Sequence, residues 1–212
     1  MRFAPPGLFT LVVLALLSAA CSPAAPADAP PAAPVAPAGP VSETGLATVL
    51  GTAVPGAIVT LHPAEARDLP APAGPAVMDQ LGKQFVPGTL VARVGQPVEF
   101  RNSEDQSHNV RVVRRRVGTA VFDVSTDPFQ RYTHVFDTTG EFEVTCNLHP
   151  GMNASVIITD TPYAAAVDNT GRYAIVNVPP GSYRLAVSAS GEVRERTVQV
   201  AAPQTDVDAP AR

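Results

Sequence analysis

The sequence predicts an all-β protein, and three observations carry that expectation. Apolar and polar residues alternate over short runs, as with Phe142 and Val144 inside Glu141–Thr145, or Ala174, Val176 and Val178 further on; a period of two is what half-buried strands show. Gly, Pro, Asp and Asn punctuate those runs, as at Val54-Pro55-Gly56, Pro150-Gly151 and Asp168-Asn169-Thr170-Gly171, where chain reversals belong. After the first 20 residues there is no long amphipathic helical pattern, and the 23 prolines cluster outside the alternating runs. A chain of 212 residues has room for one or two domains, and a net charge of −4 forces no nucleic-acid reading.

Residues 1–20 read as an export signal. Arg2 supplies a positive start, and the run from Leu8 to Leu17, apolar but for Thr10, is too short to span a bilayer stably. The run ends Leu17-Ser18-Ala19-Ala20-Cys21, which resembles a bacterial lipoprotein signal, although Ser18 stands where Leu is commonest. That resemblance implies lipid on Cys21, a membrane anchor facing the periplasm, and, with Ser22 rather than Asp following, the outer membrane. Plain cleavage after Ala20, leaving Cys21 free, is the alternative. Residues 21–43 are then the lipid-anchor Cys and a Pro/Ala tether. Seven of the nineteen residues 22–40 are Pro, which favours extended polyproline II. At about 3.1 Å per residue the tether reaches roughly 60 Å.

Residues 44–62 read as two short strands, Thr44–Gly51 and Ala57–His62, joined through Val54-Pro55-Gly56. Residues 63–76 return to Pro and Ala. The longest alternating segment is 77–160, and a second runs from 163 to 201, leaving 202–212 as a disordered tail.

The chemistry concentrates in Thr145-Cys146-Asn147-Leu148-His149-Pro150-Gly151-Met152. The spacing C-x2-H-x2-M puts three metal-ligand types on one tight loop between two strands. Thiolate and thioether are soft ligands and imidazole is borderline, a mix that suits copper better than calcium or magnesium. A trigonal blue-copper site asks for a second histidine, and His108, opening another alternating run, is the candidate. Zinc also takes Cys and His, but Met argues against it. The cysteine count agrees: of two, Cys21 goes to lipid and Cys146 to metal, leaving no spare thiol in an oxidising compartment.

The segment from Gln84 to Thr159 resembles the cupredoxins, the family of plastocyanin, amicyanin and pseudoazurin. Phe85-Val86-Pro87, the run Leu90–Gly95, the run Val98–Asn102 and His108-Asn109-Val110 follow the family's opening strands, and Cys146, His149 and Met152 follow its ligand loop, with the short His-to-Met spacing of amicyanin. The resemblance implies a Greek-key β-sandwich holding one type 1 copper per chain. Cys146 would bind as thiolate, His108 and His149 as neutral imidazoles, and Met152 as the long axial ligand. Asn109 resembles the residue that hydrogen-bonds across to the ligand loop and holds it rigid, although Asn also simply favours turns. Asn147 follows the Cys and joins it as a supporting position.

Val167-Asp168-Asn169-Thr170-Gly171 and Pro179-Pro180-Gly181-Ser182-Tyr183, with the alternating residues between and after them, resemble the carboxypeptidase-regulatory-like (transthyretin-like) β-sandwich. A domain of that class begins with a pattern like Gly51 to Leu61, which here lies before the copper segment. The resemblance implies that 77–160 is inserted into this sandwich, with 44–62 pairing against 163–200. The alternative is two domains in series, with 44–62 supplying first strands to the cupredoxin. The arrangement is similar to methylamine-utilisation-type cupredoxins.

Three function classes compete: a one-electron carrier in the bacterial cell envelope, a copper storage or delivery module, and a non-redox structural envelope lipoprotein. Four histidines in all are too few for the additional copper sites of an oxidase or nitrite reductase, so no enzymatic activity is expected. Arg111, Arg114, Arg115, Arg116 and Arg131 form a basic cluster. It reads either as a solvated surface or, near Arg114, Arg115 and Arg116, as a docking surface for an acidic redox partner protein. His134 is expected to be structural or exposed, and His62 has no partner visible in the sequence.

Overall fold

The computed structural model describes residues 45–209. The expected signal peptide 1–20, Cys21 and the tether to residue 43 lie outside the described residues, as do residues 210–212.

Among the described residues every regular element is a strand. Two come first, β1 (Ala47–Thr52) and β2 (Ile58–Pro63). Nine follow: β3 (Ala76–Leu81), β4 (Gln84–Val86), β5 (Thr89–Arg93), β6 (Pro97–Asn102), β7 (His108–Arg114), β8 (Ala120–Thr126), β9 (Arg131–Val135), β10 (Gly140–Thr145) and β11 (Asn153–Thr159). Five close the chain: β12 (Ala164–Ala166), β13 (Arg172–Val178), β14 (Gly181–Ala189), β15 (Glu192–Val200) and β16 (Gln204–Asp206).

β3 to β11 form two sheets, ordered β4-β3-β6-β9 and β5-β11-β10-β7-β8. They enclose one core between them, the β-sandwich expected for 77–160. Their inward residues alternate along each strand as the pleat demands: Val98 and Phe100 on β6, Val110 and Val112 on β7 and Val144 on β10 are fully buried. β3 and β4 reverse through Gly82 and Lys83, at φ +64° and +54°, with Leu81 paired to Gln84; both central residues at positive φ make this a type I′ hairpin.

The remaining strands form sheets ordered β13-β1-β16 and β12-β2-β14-β15. β1 pairs with β13 from Ala47↔Val178 to Thr52↔Arg172, and β2 pairs with β14 from Ile58↔Ser188 to Pro63↔Tyr183. Strands before the copper-type segment are thus hydrogen-bonded to strands after it. The two cores share no residue: one gathers Leu61, Tyr163, Tyr173, Tyr183 and Leu185, the other Met78, Phe85, Phe100, Phe136 and Phe142. At the junction the Thr159 hydroxyl donates to the Thr161 carbonyl at 2.9 Å, and the Thr161 hydroxyl donates to the Leu61 carbonyl at 2.8 Å.

Over 202–209 the expectation of a disordered tail is corrected. β16 adds to the free edge of β1 in parallel, Thr48↔Gln204 to Leu50↔Asp206. Val207 and Ala209 are buried in the core with Tyr173 and Ile175. The Tyr173 hydroxyl donates to the Val207 carbonyl, and Gly51 supplies the close approach: a Cβ there would meet that same oxygen at 2.0 Å. The ordering comes from an open strand edge and an open core face, neither of which the local sequence reveals.

Candidate metal centre

β10 and β11 are in register up to Thr145↔Asn153, which leaves Cys146 to Met152 as the loop between them. The loop closes on itself. The Cys146 N–H donates to the Met152 carbonyl at 3.1 Å, and the Met152 N–H donates to the His149 carbonyl at 3.1 Å. With Pro150 at the second position and Gly151 at φ +86° at the third, His149–Met152 is a type II turn, the geometry that Pro-Gly favours. A residue other than Gly at 151 would strain that turn.

His108 opens β7, next to β10 in the same sheet, so its ring reaches the loop from the neighbouring strand. His108 Nδ1 lies 3.8 Å from Cys146 Sγ, and His149 Nδ1 lies 3.6 Å from the same sulfur. The ligand atoms of His108, Cys146 and His149 all lie within 4.8 Å of one another, and the two rings are 4.5 Å apart at their centroids. His108 has no exposed surface, Cys146 is buried as a free thiol, and Met152 is buried in the same core cluster as Cys146. His149 is half-buried, the most accessible of the set. Its imidazole is held below its ordinary pKa, first by burial and then by repulsion from His108 and Lys83. It is therefore neutral, with a free lone pair, at neutral pH.

The donor set fits copper. One thiolate, two imidazole Nδ1 atoms and a thioether are the soft and borderline ligands of a trigonal site with a weak axial sulfur. No second cluster of three His, Cys, Asp or Glu ligands occurs among the described residues.

The supporting residues divide into two that the sequence reading named and three that it did not. Asn109 Oδ1 accepts the Asn147 N–H at 2.6 Å, and Asn109 Nδ2 donates to Asp123 Oδ1 at 2.7 Å. Asn147 Nδ2 donates to the other carboxylate oxygen of Asp123 at 3.2 Å. Asp123, on β8, therefore fastens both asparagines, and it was missed because the β7–β8 register carries a bulge at Val112/Val113 that no local pattern announces. Fully buried Gln80 donates to the Asn109 carbonyl at 3.2 Å and accepts from the Thr126 hydroxyl at 2.6 Å. Glu104, also missed, lies 2.5 Å from His108 Nε2. Its signal was the four-residue offset from His108, but the shape of the intervening loop was not readable.

The other singled-out residues fall away from the centre. Arg114, Arg115 and Arg116 lie at the opposite end of β7 from His108, roughly 20 Å along a seven-residue strand. Arg114 stacks over Phe142 at 5.1 Å and donates to the Thr138 hydroxyl at 2.5 Å; Arg115 donates to the Ser155 hydroxyl at 3.2 Å. All three line a cleft of about 500 Å³ between the two sandwiches, with Ile58, Ile157 and Val193 among its apolar walls. His62 lies 3.1 Å from the Thr60 hydroxyl and 3.6 Å from Asp160. His134 sits among Phe122, Tyr132 and Phe136.

Comparison with known proteins gives two family matches. Residues 76–159 match the model of copper binding proteins, plastocyanin/azurin family, and residues 144–210 match that of the carboxypeptidase regulatory-like domain. The second match begins inside β10 and omits β1 and β2, whereas the strand pairing places β10 and β11 in the copper-type sheet and β1 and β2 with β13 and β14. No curated protein matches the chain. Among solved structures, a purple cupredoxin from Nitrosopumilus maritimus is 20% identical over 41% of this chain and 99% of its own, at a TM-score of 0.35. A reduced amicyanin variant is 25% identical over 48% and 98%, at 0.38. A copper-containing nitrite reductase from Thermus scotoductus is 22% identical over 46% of this chain and 25% of its own, also at 0.38.

Proposed function

On the premise that residues 76–159 form a copper-binding domain of the plastocyanin/azurin type, we propose that the chain is a type 1 copper protein that carries one electron at a time. Copper held by His108, Cys146, His149 and Met152 supplies the one-electron couple. The carrying observation is that three ligand atoms already converge within 4.8 Å. Around them, Asn109, Asn147, Asp123 and Gln80 hold the loop and the strand in one arrangement. Ligands that do not rearrange when the charge changes are what a fast carrier needs. The buried thiol and His108 keep water out, while His149 reaches the surface and gives electrons their shortest way in and out.

A carrier rather than an enzyme is also supported by the other two histidines. His62 and His134 are occupied with Thr60, Asp160 and aromatic rings, away from the centre. The test is the visible absorption and EPR spectrum of residues 41–212 loaded with Cu(II). An intense thiolate-to-copper band that disappears in Cys146→Ser is expected. A folded, copper-saturated protein without that band would remove the electron-carrier reading and leave copper storage or delivery.

Three further elements belong to this reading. The segment 77–160 is an insertion in the regulatory-like sandwich, supported by the β1–β13 and β2–β14 pairing; a solved structure with 44–62 paired to the copper-type strands would refute it. The chain is anchored to the periplasmic side of a membrane, in the outer membrane, through lipid on Cys21; a mature N-terminal mass lacking a diacylglyceryl group would refute that. An acidic redox partner docks near Arg114, Arg115 and Arg116, which make no ion pair among the described residues. At roughly 20 Å from His108 these arginines steer a partner rather than pass the electron. Charge reversal of Arg115 and Arg116 should therefore slow association and weaken its salt dependence, and an unchanged rate would refute the docking.

A further inference from the structure

Glu104 is a nearly buried carboxylate, its side chain 11% exposed, and nothing in the ligand set accounts for it. Oε2 stands 2.5 Å from Nε2 of His108, whose side chain has no exposure at all. Oε1 accepts the backbone N–H of Lys83 at 3.1 Å, and Oε2 also accepts from the Gln106 amide at 3.2 Å. Burial pushes the Glu104 carboxyl up, but hydrogen bonds from His108 and from the Lys83 and Gly82 backbone outweigh it and hold the group below its ordinary pKa. The loop that presents it is fixed in turn. The Glu104 N–H donates to Asn102 Oδ1 at 2.9 Å, and Asn102, 1% exposed, donates from Nδ2 to the carbonyls of Gln106, Thr126 and Asp127 at 2.8 to 3.1 Å.

A neutral imidazole carries its proton on one nitrogen and a lone pair on the other. With His108 closed off from solvent and an acceptor-only carboxylate against Nε2, that nitrogen holds the proton of a neutral ring. The lone pair is then left on Nδ1, the atom that faces Cys146.

We propose that Glu104 is a positioning residue for His108: by taking the Nε2 hydrogen bond it fixes the tautomer and ring orientation that turn Nδ1 toward the metal, and it passes negative charge to the site through the imidazole. The proposal rests on the copper reading for its purpose, but the tautomer stands without metal. The same carboxylate grips the β3–β4 turn through Lys83, so the rival account is a purely structural tie between a hairpin and a loop.

The experiment separates the two. Imidazole ¹H–¹⁵N correlation spectra of metal-free protein, at a pH where imidazoles are neutral, should show His108 protonated at Nε2. In Glu104→Ala that preference should break down into a mixture, and Cu(II) affinity should fall about 10–100-fold, as for other carboxylates behind a histidine ligand. In Glu104→Gln, which keeps an acceptor but loses the charge, the tautomer should persist while the reduction potential rises, because the cupric state loses a nearby anion. His108 protonated at Nδ1 in the unaltered protein would overturn the proposal. So would an unchanged tautomer, affinity and potential in Glu104→Ala. If that variant fails to fold, Glu104→Gln decides alone: a raised potential upholds the role and an unmoved one overturns it. A protein with no thiolate band but with the Nε2 tautomer, lost in Glu104→Ala, would refute the copper reading and leave the positioning of His108 intact.

Discussion

At the scale of single residues, His134 ties the fold to pH. Its ring lies 4.7 Å from both Phe122 and Phe136, and burial holds its imidazole below the ordinary value against a weaker pull upward from Asp137. An unfolded histidine takes its proton near pH 6.5, whereas the folded one takes it only at lower pH. Between those two values the unfolded chain binds more protons, so stability falls as pH drops below about 6.5 and levels off below the folded value. The thermal midpoint of metal-free protein should therefore decline over that window, and decline less in His134→Phe; equal slopes would assign the acid sensitivity to other groups. The same scale shows what a sequence can and cannot disclose. Cys146, His149 and Met152 were legible because one loop of seven residues holds all three. His108 was legible because a trigonal site required it. Asp123 and Glu104 act through the register of β7 with β8 and the path of the Ser103–Ser107 loop, and both are settled by tertiary contacts rather than by residue type.

At the scale of elements, most strands could be read from period-two alternation with turns at Gly and Pro, and β16 could not. It has three residues, no apolar alternation, and a parallel partner about 150 residues away in β1. What orders it is the open edge of β1 and the space that Gly51 leaves for the Val207 carbonyl. Ending the chain at Ala202 should cost roughly 2–4 kcal/mol through the lost burial of Val207 and Ala209, before counting the lost strand pairing. Urea unfolding followed by tyrosine fluorescence would register this, since Tyr163, Tyr173 and Tyr183 all sit in the affected core. The thiolate band should be unchanged. An unmoved urea midpoint would mean that β16 adds nothing to the sandwich.

At the scale of the whole molecule, two cores without a common residue predict two unfolding events. In calorimetry, copper at 1,000 times its dissociation constant should stabilise only the transition of the copper-type sandwich, by about 4 kcal/mol. A single transition that moves as one would show that the Thr159–Thr161 junction couples the halves. The sequence disclosed one sandwich through its ligand loop and strand runs and the other through its turn motifs, but it left open which of them owns Ala47–Pro63, because alternation shows that a strand has a buried face without saying against what. The pairing of β1 with β13 and of β2 with β14 also has a consequence for the order of synthesis. The first two strands leave the ribosome about 100 residues before any strand that can receive them. A chain interrupted anywhere in that interval carries two orphaned strands beside a copper sandwich that is itself unfinished or only just complete. Such a product is open to proteolysis, and the second sandwich closes only once β13 and β14 have been made.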